Sequence, residues 1–341
     1  MSETKIQWAD VVWNPTRGCS VVSPGCHFCY AMKQAHRFDR PGGAYDGLTK
    51  MTSQGAQWTG LVTLAEDKLT EPLRWRKPRR IFVDSMSDLF HDGVPDSYID
   101  RVFAIMALAQ HHTFQVLTKR PERMRAYLTA GVRVYQKTLA GSSVPAGGAF
   151  WPEGSAATRI IAAIDRIDRD LGREPHYPRL PHWPLPNVWL GVSVEDQQHA
   201  DERISLLLDT PAAVRFISAE PLLGPIALWE RWIDRHQFAD AGTPPGFIDW
   251  VICGGESGPK ARPFDIAWAR SLRDQCAAAG TAFFLKQVGR RPAETQPALG
   301  GQIGRTAYPL DLRDSHGGDE SEWPDDLRGC RAFPEGGSRE P

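Results

Sequence analysis

The sequence lacks any long apolar run, and this excludes membrane-spanning helices from the predicted structure. None of its 341 residues lies in a stretch that approaches the roughly 18 consecutive apolar residues of a membrane span. The first ten residues are polar, so they do not resemble a secretory signal peptide. We therefore expect a soluble, cytoplasmic protein with no membrane partner, and we expect it to be a monomer.

An excess of positive charge is also absent. The chain has 40 Lys and Arg against 41 Asp and Glu, a formal net charge of −1. A global basic field that attracts nucleic acid is thereby excluded, and any such contact needs a local basic patch. Hydrophobic residues make up 41% and charged residues 24%, which is the composition of a globular protein rather than a disordered one.

Cysteine is scarce and unevenly placed. Three of the six cysteines fall between residues 19 and 29, and the other three, Cys253, Cys276 and Cys330, are scattered. A disulfide framework spreads its cysteines along a small secreted domain. Crowding in a large cytosolic chain indicates metal binding or catalysis instead.

Short apolar runs alternate with helix-like segments along most of the chain. Helices are predicted at 95–110, 196–208 and 263–279, between runs at 80–85, 113–118, 187–194, 214–218, 249–253 and 282–285. This alternation predicts an α/β fold with parallel strands. The number of units favours a full or partial barrel over an open doubly wound sheet, although periodicity alone does not separate the two.

Two regions interrupt the alternation. Residues 140–186 are rich in Gly, Pro and Ala and are predicted to be an insertion or lid, with one helix-like piece at 156–171. Residues 289–341 are polar and rich in Gly and Pro. We predict a barrel over 1–288, including the insertion, and an irregular C-terminal surface extension over 289–341.

Polar side chains follow five of the predicted strands, and in parallel α/β proteins functional sites lie at these carboxyl ends. Ser and Asp at such positions also start helices, so a single instance means little. Recurrence at five strands predicts a shared site. The segments are Ser85-Met86-Ser87-Asp88, Thr118-Lys119-Arg120, Ser193-Val194-Glu195-Asp196, Ser218-Ala219-Glu220 and Gly254-Gly255-Glu256-Ser257.

The three clustered cysteines, Cys19, Cys26 and Cys29, have the spacing Cys-x6-Cys-x2-Cys. A 4Fe–4S cluster needs a ligand at each of four irons, so three thiolates leave one iron open. The amine and carboxylate of S-adenosylmethionine can chelate such an iron, and an electron then cleaves its sulfonium to release a 5′-deoxyadenosyl radical. The alternative is a zinc site that recruits His27, but no second cysteine pair follows.

The same segment resembles the radical S-adenosylmethionine superfamily, in the branch of spore photoproduct lyase and DNA-repair photolyase-like proteins. The matching residues are Asn14, Pro15, Arg17, Gly18, Cys19, Cys26, Phe28, Cys29, Tyr30 and Ala31. The chain outside 140–185 is also similar to a phage- and bacterium-associated three-Cys-motif family. This resemblance implies a partial (βα)6 TIM-like barrel that holds a 4Fe–4S cluster and S-adenosylmethionine, and that receives electrons from an external donor.

Two departures from the superfamily pattern stand out. Six residues separate Cys19 from Cys26, where three are usual, and no Gly-Gly-Glu follows the second strand. The resemblance assigns the position after the second strand to Ser85, Ser87 and Asp88, which are expected to meet the methionine amine. The later Gly254-Gly255-Glu256 follows a different strand and is not that motif.

The remaining cofactor residues follow from the resemblance. Phe28 is expected to border the adenine, with loop packing as the alternative. Lys119, next to Arg120, is expected to pair with the methionine carboxylate, with an exposed charge as the alternative. Ser193 and Glu195 are expected to meet the ribose hydroxyls or the amine, because alternate positions of a strand share a face.

Three further residues are candidates on the substrate side. Glu220 and Glu256 follow later strands, and each is either a catalytic carboxylate or half of a structural ion pair with a cation such as Lys286. Cys253 is a candidate hydrogen-atom donor, the role that the photoproduct lyases assign to a cysteine. Packing in the core is the more common role of such a cysteine.

A basic run with an interleaved tryptophan is the predicted nucleic-acid contact. Its residues are Arg74, Trp75, Arg76, Lys77 and Arg79. Cations meet phosphates and aromatic rings stack on bases, although charge runs are often merely solvated.

We therefore predict a radical enzyme that repairs or modifies a nucleic-acid base, with DNA favoured over RNA. The alternatives are the same chemistry on a small molecule or protein side chain, and a non-catalytic binding module whose fold a metal stabilises. A zinc hydrolase is not favoured, because the sequence has no obvious His-rich ligand set.

Overall fold

A parallel β-sheet dominates the computed structural model, which describes residues 4, 6–130, 153–174, 183–233, 246–297 and 305–334. Its seven strands curl into a half-barrel and lie in the order 11–13, 80–83, 113–118, 188–193, 214–219, 250–254 and 282–287. The strands, in chain order, are β1 (Val11–Trp13), β2 (Thr16–Arg17), β3 (Thr49–Thr52), β4 (Gly55–Trp58), β5 (Thr63–Leu64), β6 (Arg80–Val83), β7 (Thr113–Thr118), β8 (Val188–Ser193), β9 (Val214–Ala219), β10 (Trp250–Gly254), β11 (Phe264–Asp265), β12 (Ala282–Gln287), β13 (Pro292–Pro297) and β14 (Arg305–Pro309).

Helices follow most strands of the main sheet. The described α-helices are α1 (Tyr30–His36), α2 (Glu66–Leu69), α3 (Asp96–Leu108), α4 (Pro121–Thr129), α5 (Ala156–Asp170), α6 (Gln197–Leu208), α7 (Glu230–Ile233) and α8 (Ile266–Ala279). Short 3-10 helices lie at Pro24–Cys26, Glu71–Arg74, Glu320–Glu322 and Asp325–Leu327. Within the described residues, no helix combines the length and the apolar character that crossing a membrane requires.

Local chemistry explains the positions of these elements. Every residue of β8 and of β10 is buried, as expected for parallel strands covered on both faces. Helix α8 begins after Asp265, whose carboxylate accepts a hydrogen bond from the backbone N–H of Ala267. It ends at Gly280, whose positive φ of 67° closes the helix in the left-handed conformation.

The contacts of the chain divide it into two units, each described by itself. The first unit comprises Met1–Val21, Cys29–Leu190 and Asp209–Ala213, and its core includes the edge contact of Trp13 with Phe114. The second unit comprises Val22–Phe28, Gly191–Leu208 and Val214–Pro341, and its core includes Trp250 packed on Phe216. Cys19 and Cys29 therefore belong to the first unit and Cys26 to the second.

The predicted α/β fold with a partial parallel barrel is confirmed, and each of the six predicted strands is present. Helix 156–171 is confirmed as α5, and Ile160 and Ile164 are among its buried residues. The prediction missed β1 because three residues are too few to show a period. It missed α4 because only its inner face, including Met124 and Leu128, is apolar.

The two interrupting regions have different outcomes. Of the predicted insertion, residues 140–152 and 175–182 lie outside the described part of the chain, so its role as a lid stays a prediction. The predicted C-terminal extension contains the antiparallel strands β13 and β14, joined to β11 in a three-stranded sheet. The boundary at residue 288 stays a prediction.

Candidate cysteine site

Gly18 shapes the chain immediately before Cys19. Its φ is +90°, a conformation that side chains disfavour, and an added Cβ would lie 2.2 Å from the carbonyl oxygen of Leu61. No other residue type fits this position without displacing the backbone. The turn that presents Cys19 therefore depends on a glycine.

Two serines after β6 hold the same turn. The Ser87 hydroxyl donates to the carbonyl oxygen of Gly18 at 2.6 Å and accepts from Thr16 Oγ1 at 2.8 Å. The Ser85 hydroxyl donates to Asn14 Oδ1 at 3.1 Å. Both hydroxyls therefore position the polypeptide before Cys19. Their expected contact with a methionine amine stays a prediction.

Asp88 is a buried anchor for the polar groups that follow β7. Its carboxylate accepts from Thr118 Oγ1 at 2.7 Å and from the backbone N–H groups of Lys119 at 3.1 Å and Phe90 at 3.0 Å. It also pairs with Arg120 Nη1 at 2.8 Å. Because these donors hold the Asp88 carboxylate in place, the carboxylate in turn fixes the position of the Arg120 guanidinium.

Arg120 is the cation that contacts the cysteine segment in the first unit. Its Nη1 lies 3.8 Å from Cys19 Sγ, and its Nη2 donates to Ser20 Oγ at 2.7 Å. From the sequence, the neighbouring Lys119 is the predicted site cation. Two adjacent cations after a strand look alike in sequence, and only the side-chain directions distinguish them. The pairing of Lys119 with a carboxylate stays a prediction.

His91 extends this network and was not recognised from the sequence. Its Nδ1 accepts from the backbone N–H of Gly93 at 3.0 Å, so its Nε2 carries the proton and donates to Ser20 Oγ at 2.9 Å. Burial lowers the pKa of His91, and the positive charge of Arg120 lowers it further. The imidazole is thereby kept neutral.

The thiols of the first unit lie in an apolar setting. Burial raises the pKa of Cys19 to about 12, with Asp88 raising it further and Arg120 opposing the rise. Cys19 and Cys29 both pack against a core cluster formed by Ala31, Met32, Ala35, Leu48, Trp58 and Met86. Metal binding at Cys19 therefore has to displace a thiol proton, and Arg120 is the nearby charge that favours the thiolate.

A different arrangement surrounds Cys26 in the second unit. Ser23 Oγ donates to Glu195 Oε1 at 2.6 Å and lies 3.7 Å from Cys26 Sγ. The backbone passes so close to this carboxylate that a Cβ on Gly25 would lie 2.4 Å from Glu195 Oε1. The turn at Pro24–Cys26 therefore requires both the glycine and the acidic side chain.

Glu195 is fully buried and ion-paired. Its Oε2 accepts from Arg203 Nη1 at 3.0 Å, and the same nitrogen donates to the carbonyl oxygen of Ser193 at 2.8 Å. His199, one turn earlier on α6, bonds to Asp196 at 2.7 Å. Both oxygens of Glu195 thus have protein partners. The expected contacts of Ser193 and Glu195 with a ribose stay predictions.

Arg262 fastens the other side of the Cys26 turn, and it was not found from the sequence. Its backbone N–H and its Nε donate to Glu256 Oε2 at 2.8 and 2.9 Å, and its Nη2 also bonds to Glu256. The same Nη2 donates to the carbonyl oxygen of Pro24 at 3.0 Å, and the guanidinium lies 5.4 Å from the centroid of the Phe28 ring. Glu256 and Phe28 therefore act together in holding the turn.

The remaining substrate-side candidates lie elsewhere in the second unit. Glu220 forms an ion pair with Lys286. A structural ion pair is one of the two roles predicted for this carboxylate. Cys253 is fully buried in β10, between β9 and β12, and burial raises its thiol pKa well above the ordinary value. Catalysis by Glu220, Glu256 or Cys253 stays a prediction.

The predicted nucleic-acid contact lies in the first unit. Arg74, Arg76 and Lys77 are exposed, whereas Trp75 and Arg79 are half-buried. The Trp75 ring makes an edge contact with His112 at a centroid distance of 6.0 Å. The run thus presents three cations around one partly fixed aromatic ring, and its contact with nucleic acid stays a prediction.

The donor chemistry of the three clustered cysteines fits an iron–sulfur cluster. All six cysteines lie in the described part of the chain, and no disulfide joins them. The Arg120 guanidinium faces the Cys19 sulfur, which is the environment that a bound thiolate favours. Across the described residues, no three His, Cys, Asp or Glu side chains converge in a way that would hold a single metal ion.

Comparison with known proteins places the chain in a family without a described activity. It belongs to the family described as "Protein of unknown function (DUF5131)", whose model matches residues 3–310. No curated protein matches it.

Two solved structures are similar to the chain. One is spore photoproduct lyase complexed with a dinucleoside spore photoproduct, at 10% identity and a TM-score of 0.35, covering 92% of this chain and 71% of that one. The other is a cysteine-to-serine mutant of spore photoproduct lyase, at 11% identity and a TM-score of 0.33, covering 90% of this chain and 70% of that one. Similarity at this level establishes neither a common fold nor a common reaction.

Proposed function

We propose that this protein is an iron–sulfur enzyme that cleaves S-adenosylmethionine reductively, with Cys19, Cys26 and Cys29 as the cluster ligands. The observation that carries the proposal is the Cys-x6-Cys-x2-Cys segment together with its support. Polar residues hold the chain on both sides of it: Ser87 and Asp88 in the first unit, and Glu195 and, through Arg262, Glu256 in the second.

The polypeptide's own contribution is to position three sulfurs and to place a positive charge beside one of them. When bound, the 4Fe–4S cluster supplies the electron that breaks a C–S bond of S-adenosylmethionine and releases a 5′-deoxyadenosyl radical. Arg120 directs positive charge at Cys19, and the Ser23 oxygen lies 3.7 Å from Cys26 Sγ. The Arg120 charge compensates negative charge on the Cys19 sulfur.

The substrate that we propose is a nucleic-acid base, with DNA favoured over RNA. The support is the exposed cations Arg74, Arg76 and Lys77 around Trp75. Cations of this kind position a phosphate backbone without reading its sequence. A base inside a duplex would first have to leave the stack in order to reach the reacting centre.

Anaerobic reconstitution tests the cluster and the reaction separately. We expect about four irons and four sulfides per chain, and 5′-deoxyadenosine after reduction with dithionite in the presence of S-adenosylmethionine. Cys26→Ala should abolish both iron binding and product. Cys276→Ala is the matched control, because Cys276 is a core residue of α8 with no proposed role, and it should retain both.

Two results would contradict the proposal. A single zinc ion in the protein purified under anaerobic conditions would replace the cluster with a structural metal site. A full iron and sulfide content with no 5′-deoxyadenosine, with or without DNA, would indicate a metal-stapled binding module instead of an enzyme.

A further inference from the structure

A cavity of about 670 Å³ lies in the first unit beside β1, the edge strand of the main sheet. Val11 and Val12 of β1 form part of its wall. Its volume falls within the range of about 300–1,000 Å³ that is usual for small-molecule sites in proteins. No residue of the proposed cluster or cofactor set lines it, so it is a separate feature of the molecule.

Positive charge dominates the charged lining of this cavity. Arg17, Lys68 and Arg74 come from three different elements, and Glu71 is the acid among the lining residues. Arg17 pairs with Asp67 at 3.2 Å, and Lys68 pairs with Glu71 at 2.8 Å. Arg74 has no carboxylate partner among the described residues, so its guanidinium is available for an anion.

Two aromatic residues complete the wall. Trp75 is held by the edge contact with His112, and its carbonyl oxygen bonds to His111 Nε2 at 2.7 Å. Tyr45 packs against the same core cluster as Cys19 and Cys29. Both rings are thus partly immobilised, which reduces the entropy lost when a planar ligand stacks on them.

An amide group also lies in the wall. Asn14 Oδ1 accepts from Ser85 Oγ and from the backbone N–H of Met86, both at 3.1 Å. This occupies the oxygen and fixes the amide plane, so the Nδ2 group can donate to a polar ring edge. The cavity therefore combines cations, aromatic faces and an oriented amide donor.

We propose that this cavity binds one nucleotide of a single-stranded DNA segment. The phosphate would meet Arg74, with Arg17 and Lys68 adding positive charge, and the base would stack on Trp75. S-adenosylmethionine has no phosphate, so this ligand is chemically distinct from the proposed cofactor. The inference deepens the proposed function by naming a nucleotide as the ligand, but its test needs neither a cluster nor turnover.

Binding of a fluorescein-labelled oligothymidylate tests the proposal on the full-length, metal-free chain. We expect saturable binding that weakens steeply with salt. Arg74→Gln should weaken binding about tenfold, the value of one lost charge-assisted contact. Lys33→Gln and Lys50→Gln are matched controls, because these cations of the first unit are exposed, do not line the cavity and lie outside the predicted nucleic-acid run, and they should weaken binding less than about twofold.

Competition experiments with unlabelled ligands identify the chemical group that the cavity recognises. Thymidine 5′-monophosphate should displace the labelled strand, whereas thymidine, which lacks the phosphate, should not. Displacement only by longer oligonucleotides would overturn the single-nucleotide site in favour of a surface groove. Equal losses in the Arg74→Gln and Lys33→Gln proteins would overturn it in favour of a diffuse charge patch.

Folding of the variants is checked by their urea midpoints. Trp75→Phe keeps an aromatic face and should retain most of the affinity, whereas Trp75→Leu should lose it while remaining folded. If the wild-type chain shows no binding to the oligonucleotide, the inference fails. The proposed cluster would still stand or fall on its own iron count and 5′-deoxyadenosine assay.

Discussion

The two units support their cysteines with the same pair of residue types, used in different ways. In the first unit a buried Asp88–Arg120 pair lies beside Cys19, and in the second a buried Glu195–Arg203 pair lies beside the Cys26 turn. Only Arg120 extends from its carboxylate to a sulfur, at 3.8 Å. At Cys26 the group facing the sulfur is the neutral hydroxyl of Ser23.

This difference shows that one ion pair can serve two purposes. Arg120 divides its donors between a carboxylate and a thiol, so it fixes the chain and also stabilises negative charge on Cys19. Arg203 compensates a fully buried carboxylate, and Glu195 in turn accepts the Ser23 hydroxyl. The first pair therefore acts on the sulfur directly, whereas the second acts through the shape of the turn.

The largest effect is expected from breaking the second pair. Arg203→Met leaves the Glu195 carboxylate without its cation at 0% exposure, so we expect the free energy of unfolding to fall by about 3–5 kcal/mol in urea titrations. Arg328→Met is the control, since its pair with Asp325 is exposed and should contribute less than about 1 kcal/mol. Equal losses in the two variants would show that Glu195 is not held by Arg203.

Asp84 is a buried carboxylate of the first unit that can be compared with the buried Glu195 of the second. Burial raises its pKa from 3.8 to about 8, and its Oδ2 has no hydrogen-bond partner among the described residues. The folded protein keeps a proton that the unfolded chain releases above the ordinary pKa. The free energy of unfolding should therefore fall as pH rises from about 4 to about 8, by up to about 1.4 kcal/mol per pH unit.

Asp84→Asn should remove this pH dependence, because an amide does not ionise, while keeping an oxygen to accept from the Thr16 N–H. Urea titrations at several pH values measure the slope. An unchanged slope in the variant would assign the pH dependence to another group. At pH 4 the variant and the wild type should have similar stability.

Arg120→Lys tests whether the first pair needs the forked guanidinium. Lysine keeps the charge but cannot meet Asp88, Ser20 and Cys19 together, so we expect a loss of about 1.5–3 kcal/mol in the free energy of unfolding. Any reconstituted cluster should also have a lower reduction potential, since a donor to sulfur has been removed. The matched change Arg262→Lys, in the second unit, should leave that potential unchanged.

The smallest effect is expected from Ser23→Ala. The variant removes one donor from Glu195, which keeps Arg203, so the free energy of unfolding should fall by about 1–2 kcal/mol. Ser20→Ala is the counterpart in the first unit and should cost less, because Ser20 is only partly buried whereas Ser23 is buried. A larger loss from Ser20→Ala would reverse the comparison between the two units.

The sequence by itself determined the parallel α/β fold, six of the seven strands of the main sheet and the cysteine motif. Each of these depends on local information, namely continuous apolar runs such as that of β10 or the spacing of Cys19, Cys26 and Cys29. The positions of Asp88 and Glu195 after strands also follow from such patterns. Their partners do not.

Only the tertiary structure decided which polar groups meet. Arg120 rather than Lys119 reaches Cys19, and Arg262 fastens a turn 238 residues earlier through the carbonyl oxygen of Pro24. It likewise gathered Arg17, Lys68 and Arg74 around one cavity. Periodicity reports which face of an element is buried, but hydrogen bonds depend on side-chain direction and on residues far apart in the chain, which no local pattern encodes.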